Sequence, residues 1–233
     1  MAYILNIETA TPLCSVALAQ NGKVIAHRET MEEKSHASRL TSFISELLKT
    51  ENISVADLDA VAVGKGPGSY TGLRIGVSAA KGLCYGAGIP LIAVNTLRIL
   101  YQNARLANVS DANPGTLFCP MIDARRMEVY TCIFDENGFE VEPVNAKIIE
   151  STTFNSILEN HRIFFFGSGM EKCKNIISHP NARFLEGVYP HAAALANIAE
   201  QSYQHKEFEN VAYFEPFYLK DFIATVSKKG LHF

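Results

Sequence analysis

The chain is 233 residues long, enough for one large domain or two small ones. Hydrophobic residues make up 48% of it and charged residues 19%, which excludes a disordered chain and fits a fold with a substantial core. The net charge of −3 argues against independent high-affinity binding to nucleic acid, which draws on a basic surface.

The run Met1-Ala2-Tyr3-Ile4-Leu5-Asn6 has no basic leader and enters a strand at once, and no apolar run approaches a membrane span. A cytoplasmic chain with no signal peptide and no membrane partner is therefore expected. Residues 3–7 read as a strand and 8–12 as a turn. Residues 14–19 are the next strand, Asn21-Gly22 a hairpin turn, and 23–29 the returning strand. Ser35 or Ser38 is a candidate cap for a helix over 37–49, whose apolar stripe is Leu40, Phe43, Ile44, Leu47 and Leu48.

The run Ala60-Val61-Ala62-Val63 predicts a buried strand leading into Gly64-Lys65-Gly66-Pro67-Gly68-Ser69-Tyr70-Thr71-Gly72. A helix over 73–85 follows. Strand, glycine loop and helix together aim amides at one point, which suits an anion. A Walker loop fails because Gly66 follows Lys65, and the dinucleotide fingerprint fails at Ser69. The alternative is that the glycines serve a tight turn and close helix packing. On the helix, Gly72, Gly76 and Ala80 form one bare face for close approach of another backbone, within the fold or on a partner chain. Leu73, Val77 and Cys84 point elsewhere, toward a core. Residues 89–94 then read as a strand, 96–107 as a helix, and Asp111-Ala112-Asn113-Pro114-Gly115 as a linker.

The second half repeats this order. Residues 117–122 are a strand ending in Asp123-Ala124-Arg125-Arg126. Residues 128–134, Asn137-Gly138 and 139–149 form a hairpin with the same turn dipeptide. A short helix over 152–160 and a strand over 163–166 lead to Gly167-Ser168-Gly169. A helix over 170–177, a strand over 182–185 and a helix over 191–204 complete it. Glu8 corresponds to Asp123, and Gly64-Lys65-Gly66 to Gly167-Ser168-Gly169. This internal repeat predicts an α/β fold of two facing mixed-sheet halves. It is the duplicated ribonuclease-H-like arrangement of actin, sugar kinases and Hsp70 ATPase domains. The halves are expected at 1–108 and 109–212, with 213–233 a tail packing back on the first.

In that architecture a nucleotide sits between the halves, held by an acidic residue and a glycine at each first hairpin. The entries here, Glu8-Thr9-Ala10-Thr11 and Asp123-Ala124-Arg125-Arg126, lack the glycine. Glu8 and Asp123 remain candidates for a carboxylate pair facing each other across the cleft. The competing reading makes them relics paired with Arg125, Arg126 or Lys65. Glu8, Thr9, Lys65, Gly66, Gly68, Ser69, Asp123 and Arg125 are the candidate anion or vestigial-cleft residues. No catalytic residue and no metal site is expected. His36 has Leu40, not histidine, four residues on, and no His or Asp stands near Ser69, Tyr70 or Thr71 to activate a hydroxyl. The five cysteines, scattered and unpaired, read as reduced core thiols.

Ile4-Leu5-Asn6-Ile7-Glu8-Thr9-Ala10-Thr11, Cys14-Ser15-Val16-Ala17-Leu18, Gly66-Pro67-Gly68-Ser69-Tyr70-Thr71-Gly72-Leu73-Arg74-Ile75-Gly76 and Asp123-Ala124-Arg125-Arg126-Met127-Glu128-Val129-Tyr130 closely resemble the TsaB (YeaZ) family. Pro216-Phe217-Tyr218-Leu219-Lys220 matches its closing motif more loosely, so the resemblance covers essentially the whole chain. It departs at Glu8, where the family more often has aspartate.

The resemblance implies a non-catalytic subunit of the bacterial machinery that makes threonylcarbamoyladenosine at position 37 of tRNA. TsaD would be its catalytic heterodimer partner, TsaE, a small ATPase, would join them, and tRNA would be reached through the complex. Older names in the family are M22 glycoprotease and Hsp70-fold chaperone. The helices over 37–49 and 73–85 would form a two-helix surface, with Leu40, Phe43, Ile44, Leu47, Gly72, Leu73, Gly76 and Ala80 at the partner interface. The same surface would form a homodimer when the partner is absent. A bulky residue at Gly76 is expected to abolish pairing while leaving the monomer folded. No cofactor of its own is implied, and ATP or ADP is left as a ligand of the complex interface. The alternative is an ATP-dependent enzyme using the cleft, with Glu8 and Asp123 facing a metal.

Overall fold

The computed structural model describes residues 2–32, 36–106 and 113–220, and in it the chain builds two five-stranded mixed sheets. The first contains β1 (Tyr3–Glu8), β2 (Cys14–Gln20), β3 (Lys23–Thr30), β4 (Ala60–Gly66) and β5 (Leu91–Asn95), in the order β3-β2-β1-β4-β5. The second contains β6 (Leu117–Asp123), β7 (Glu128–Phe134), β8 (Glu140–Ile148), β9 (Ile163–Phe166) and β10 (Ala182–Leu185), in the order β8-β7-β6-β9-β10. In each sheet the first three strands are antiparallel and the last two run parallel to the first. Overlaying β1 on β6 makes the two orders identical. The chain therefore has the duplicated ribonuclease-H-like fold.

The two hairpins use the Asn-Gly dipeptide differently. Asn21 and Gly22 are both left-handed (φ 51° and 73°), as a two-residue turn matching strand twist requires. In the second hairpin only Gly138 is left-handed, and the longer turn is built on Asp135, whose carboxylate accepts the amides of Asn137 and Phe139, each at 2.8 Å.

Two helices, α1 (His36–Thr50) and α2 (Tyr70–Ala87), lie side by side on one face of the first sheet. Leu40, Ile44 and Leu47 of α1 and Val77, Ala80 and Cys84 of α2 close a core there with Leu5, Ile7, Val16, Val61 and Val63. Helix α2 begins at Tyr70, three residues earlier than its apolar spacing suggests, because Ser69 accepts the Gly72 amide at 3.2 Å and caps it. Ser38 lies inside α1, and Ser35 is outside the described residues. Two single-turn helices, α4 (Asn155–Leu158) and α5 (Met170–Cys173), pack on the second sheet. Helix α5 stops early because the amides of Ile176 and Ile177 both close on the Cys173 carbonyl, each at 2.9 Å.

The opposite faces are covered by an exchange of helices. After β5, Asn95 accepts the Leu97 amide at 2.9 Å, and α3 (Thr96–Leu106) then crosses to the second sheet. There Leu97, Leu100, Tyr101 and Ala104 meet Phe118, Phe134 and Phe164. Conversely, a 3-10 turn, Ala192–Leu195, and α6 (Ala196–Gln204), at the end of the second repeat, pack on the first sheet against Ile4, Ala62 and Ile92. The boundary expected at 108/109 and the linker residues Asp111 and Ala112 lie outside the described residues.

The chain then returns to the first half. The Glu209 amide bonds Leu91 O at 2.9 Å, Val211 and Phe214 join the α1–α2 core, and Lys81 Nζ donates to the carbonyls of Ala212 (3.2 Å) and Phe214 (2.8 Å). Residues 221–233 of the expected tail are outside the described residues.

Candidate functional site

A cleft of about 890 Å³ lies between the two repeats. Its walls are the β1–β2 turn and the glycine loop from the first half, the β6–β7 turn and residues 167–168 from the second, and the returning segment 217–220.

The glycine loop is held by its own fold. The Gly66 amide donates to Thr96 Oγ1 at 3.1 Å, and the Ser69 amide to the Ala10 carbonyl at 2.7 Å. Thr9 Oγ1 donates to the Gly72 carbonyl at 2.8 Å. A Cβ placed on Gly68 would sit 2.3 Å from Ala10 O, on Gly72 2.1 Å from Thr9 O, and on Gly76 2.2 Å from Thr9 Oγ1. The missing side chains let the loop and the first two turns of α2 lie directly on residues 9–10. Close packing is thus what these glycines do, and the amides of Gly66, Ser69 and Gly72 are already engaged within the fold.

The eight candidate cleft residues separate accordingly. Gly68, Ser69, Asp123 and Arg125 line the cleft, whereas Glu8, Thr9, Lys65 and Gly66 do not. Glu8 and Thr9 are fully buried, and Lys65 is turned outward toward Glu209, 3.7 Å away. Glu8 and Asp123, although equivalent in the two repeats, have opposite surroundings. Glu8 lies under Gly64, where a Cβ would come within 2.0 Å of its Oε2. Its Oε1 accepts the Ala10 amide at 2.6 Å and its Oε2 has no partner. Burial pushes its pKa up to about 7, against hydrogen bonds from the amides of Ala10 and Thr9 and the Thr96 hydroxyl that favour the charged form. Asp123, at the cleft wall, pairs with Lys172 and accepts the Arg125 amide at 2.8 Å. The two acids therefore do not face each other. Nor are they relics paired with Arg125, Arg126 or Lys65: Glu8 is set by burial and Asp123 by Lys172.

Arg125 and Arg126 follow in consecutive left-handed conformations (φ 69° and 50°) with exposed side chains. Lys172 also donates to Glu128 O at 2.6 Å, and Glu128 in turn pairs with Lys220. Lys172 stands in no motif and only the topology reveals it, whereas Lys220 ends the Pro216–Lys220 run. His36 opens α1 and meets the Thr11 carbonyl at 2.9 Å, a structural tie at the cleft edge. A metal nucleotide held from both hairpin ends does not fit these residues, since Glu8 is turned away from the cleft. Among the described residues no group of three or more His, Cys, Asp or Glu is placed to hold a metal. No helix among them is long and apolar enough to cross a membrane.

The interface residues also need correction. Leu40, Ile44, Leu47, Gly72, Leu73, Gly76 and Ala80 are buried inside the chain's own fold, and Phe43 is half-buried on the same core. An amphipathic stripe on a surface helix marks the face turned to its own sheet, and here it does so twice. A bulky residue at Gly76 would strike Thr9 and disturb the monomer, contrary to the expectation for that variant. What α2 presents outward is a second stripe, Ser78, Gly82 and Gly86, with Tyr85 beside it at 87% exposure. A Cβ on Gly82 or Gly86 would meet nothing within 4 Å. The same four-residue spacing was present in the sequence, offset by two positions, roughly 200° around the helix.

Comparison with known proteins adds a consistent picture. The family model described as "TsaD: tRNA N6-adenosine threonylcarbamoyltransferase" matches residues 23–228. The tRNA threonylcarbamoyladenosine biosynthesis protein TsaB of Escherichia coli (strain K12) is 34% identical over 97% of this chain and 98% of its own length. Its namesake from Haemophilus influenzae is 27% identical over 94% of this chain and 93% of its own. Among solved structures, a Pseudomonas aeruginosa protein described as similar to peptidase YEAZ is 26% identical, with a TM-score of 0.82 over 94% of this chain and all of that one.

Proposed function

The chain belongs to the TsaB family, and from that premise we propose that it is the non-catalytic scaffold of the complex that installs threonylcarbamoyl on adenosine 37 of tRNA. In this reading it pairs with TsaD, TsaE joins the pair, and tRNA is met through the complex. It contributes no metal or nucleotide of its own, and ATP or ADP belongs to the assembled interface.

The observation that carries the scaffold reading is the outward face of α2. Ser78, Gly82 and Gly86 leave the backbone bare for close approach, and Tyr85 projects beside them. Half-buried Ala79 and Leu83 continue that face into the core beneath. A helix from a partner can lie close there, and Tyr85 supplies the kind of aromatic anchor that dominates interface energetics. In the absence of TsaD the same face pairs with a second copy of the chain, since a two-fold contact uses one patch twice.

The test is binding of purified TsaD to Gly82→Glu and Tyr85→Ala variants. Both positions are solvent-facing, so both variants are expected to fold. Gly82→Glu is expected to weaken binding by roughly a hundredfold or more, the scale of a lost hot spot. A folded Gly82→Glu chain that binds TsaD as the parent does would contradict the reading. The ATP-dependent enzyme alternative would show itself as a magnesium-dependent nucleotide site in the isolated chain, lost on Asp123→Asn.

A further inference from the structure

The returning segment is attached to both halves of the molecule at the mouth of the cleft. The Phe217 amide donates to Lys65 O at 2.7 Å, and the Phe217 carbonyl lies so close to Gly66 that a Cβ there would be 2.9 Å from it. Tyr218 packs on Tyr70 with ring centroids 4.9 Å apart, and its hydroxyl accepts from Arg74 Nε at 3.3 Å. The Arg74 guanidinium in turn lies 4.2 Å over the Tyr70 ring. These contacts are all with the first half. Two residues on, Lys220 pairs with Glu128 at the start of β7, in the second half. Glu128 is itself linked through Lys172 to Asp123 on the cleft wall. Elsewhere the halves are joined by the exchanged helices α3 and α6, within the packed interior.

We propose that residues 217–220 form a strap that sets the width of the cleft, fixed to the glycine loop at one end and to Glu128 at the other. The glycine loop acquires a second use: its carbonyl at Lys65 and its bare Gly66 are the seat for the strap. Residues 217–219 also line the cleft themselves, so the strap is part of the wall whose position it fixes. The Lys220–Glu128 pair is partly exposed, and such pairs add little to stability. Its effect is on how far the halves separate rather than on whether the chain folds. The inference concerns the single chain and stands apart from the partner reading.

The experiment is a spin-label distance measurement between the two halves. Labels are placed at Glu46→Cys on α1 and Glu159→Cys just after α4, both exposed, while all five native cysteines are buried. Labelled chain is diluted with unlabelled chain so that only distances within one molecule count. The parent is expected to give a narrow distribution. Lys220→Ala is expected to broaden it, and Tyr218→Ala with Lys220→Ala to broaden it further and shift it to longer distance. A Lys220→Ala distribution as narrow as the parent's overturns the strap. Should the double variant fail to fold, Lys220→Ala, altered at an exposed side chain, decides alone.

Discussion

Glu8 is a carboxyl group with one oxygen engaged by the Ala10 amide and the other without a partner, at zero exposure. Its pKa is raised from 4.5 to about 7, so between those values the folded chain keeps a proton that the unfolded chain releases. Stability then falls as pH rises through that window and levels off above it, by an amount on the order of 3 kcal/mol. His191, half-buried and held by that burial below the ordinary imidazole value, slopes the opposite way, losing stability as pH falls. The difference between parent and Glu8→Gln isolates the glutamate. Glu8→Gln, which keeps an acceptor for Ala10, is expected to gain stability over the parent at pH 8 and little at pH 5, measured by urea unfolding. An equal difference at both pH values would contradict the buried, protonated carboxyl.

Helix α2 carries glycines on both faces, and they have different consequences. Gly72→Ala brings a Cβ to 2.1 Å from the Thr9 carbonyl, so the gain in helix propensity is overwhelmed. A loss of about 2 kcal/mol or more is expected. Gly82→Ala meets nothing within 4 Å and is expected to stabilise the chain by about 0.5–1 kcal/mol. Chemical unfolding of the two variants checks both, and equal effects would mean that the two faces are not distinct. The helix itself and its four-residue glycine spacing were legible in the sequence, but its start at Tyr70, capped by Ser69, was not. Which stripe faces water was not, because that depends on Thr9, 63 residues away, bonding to Gly72. The same limit applies to Glu8 and Asp123: equivalent by repeat, they are separated in role by Gly64 above one and Lys172 beside the other.

Over the whole molecule, the order of elements in the two repeats was enough to foresee two facing mixed sheets. The exchange of α3 and α6 between halves was not foreseeable, since a helix's apolar stripe does not say which sheet it will cover. One consequence of the resulting cores is measurable. All five cysteines are buried, and burial raises Cys14, Cys84 and Cys173 to about 11 and Cys119 to about 12, with Cys132 pushed up further. At pH 8 the native chain is expected to show no fast-reacting thiol toward a disulfide reagent, and all five only on unfolding. A rapidly titrating native thiol would mean that one of the cores is open.

The most direct measurement of the scaffold role is reconstituted tRNA threonylcarbamoylation with TsaD, TsaE and a TsaC-type synthase, with and without this chain. Modification is expected to require the chain, to persist with Asp123→Asn, and to stop with Gly82→Glu because the pair does not form. Loss of modification with Asp123→Asn in a complex that still assembles would contradict the non-catalytic scaffold and place chemistry or an essential ligand in the cleft.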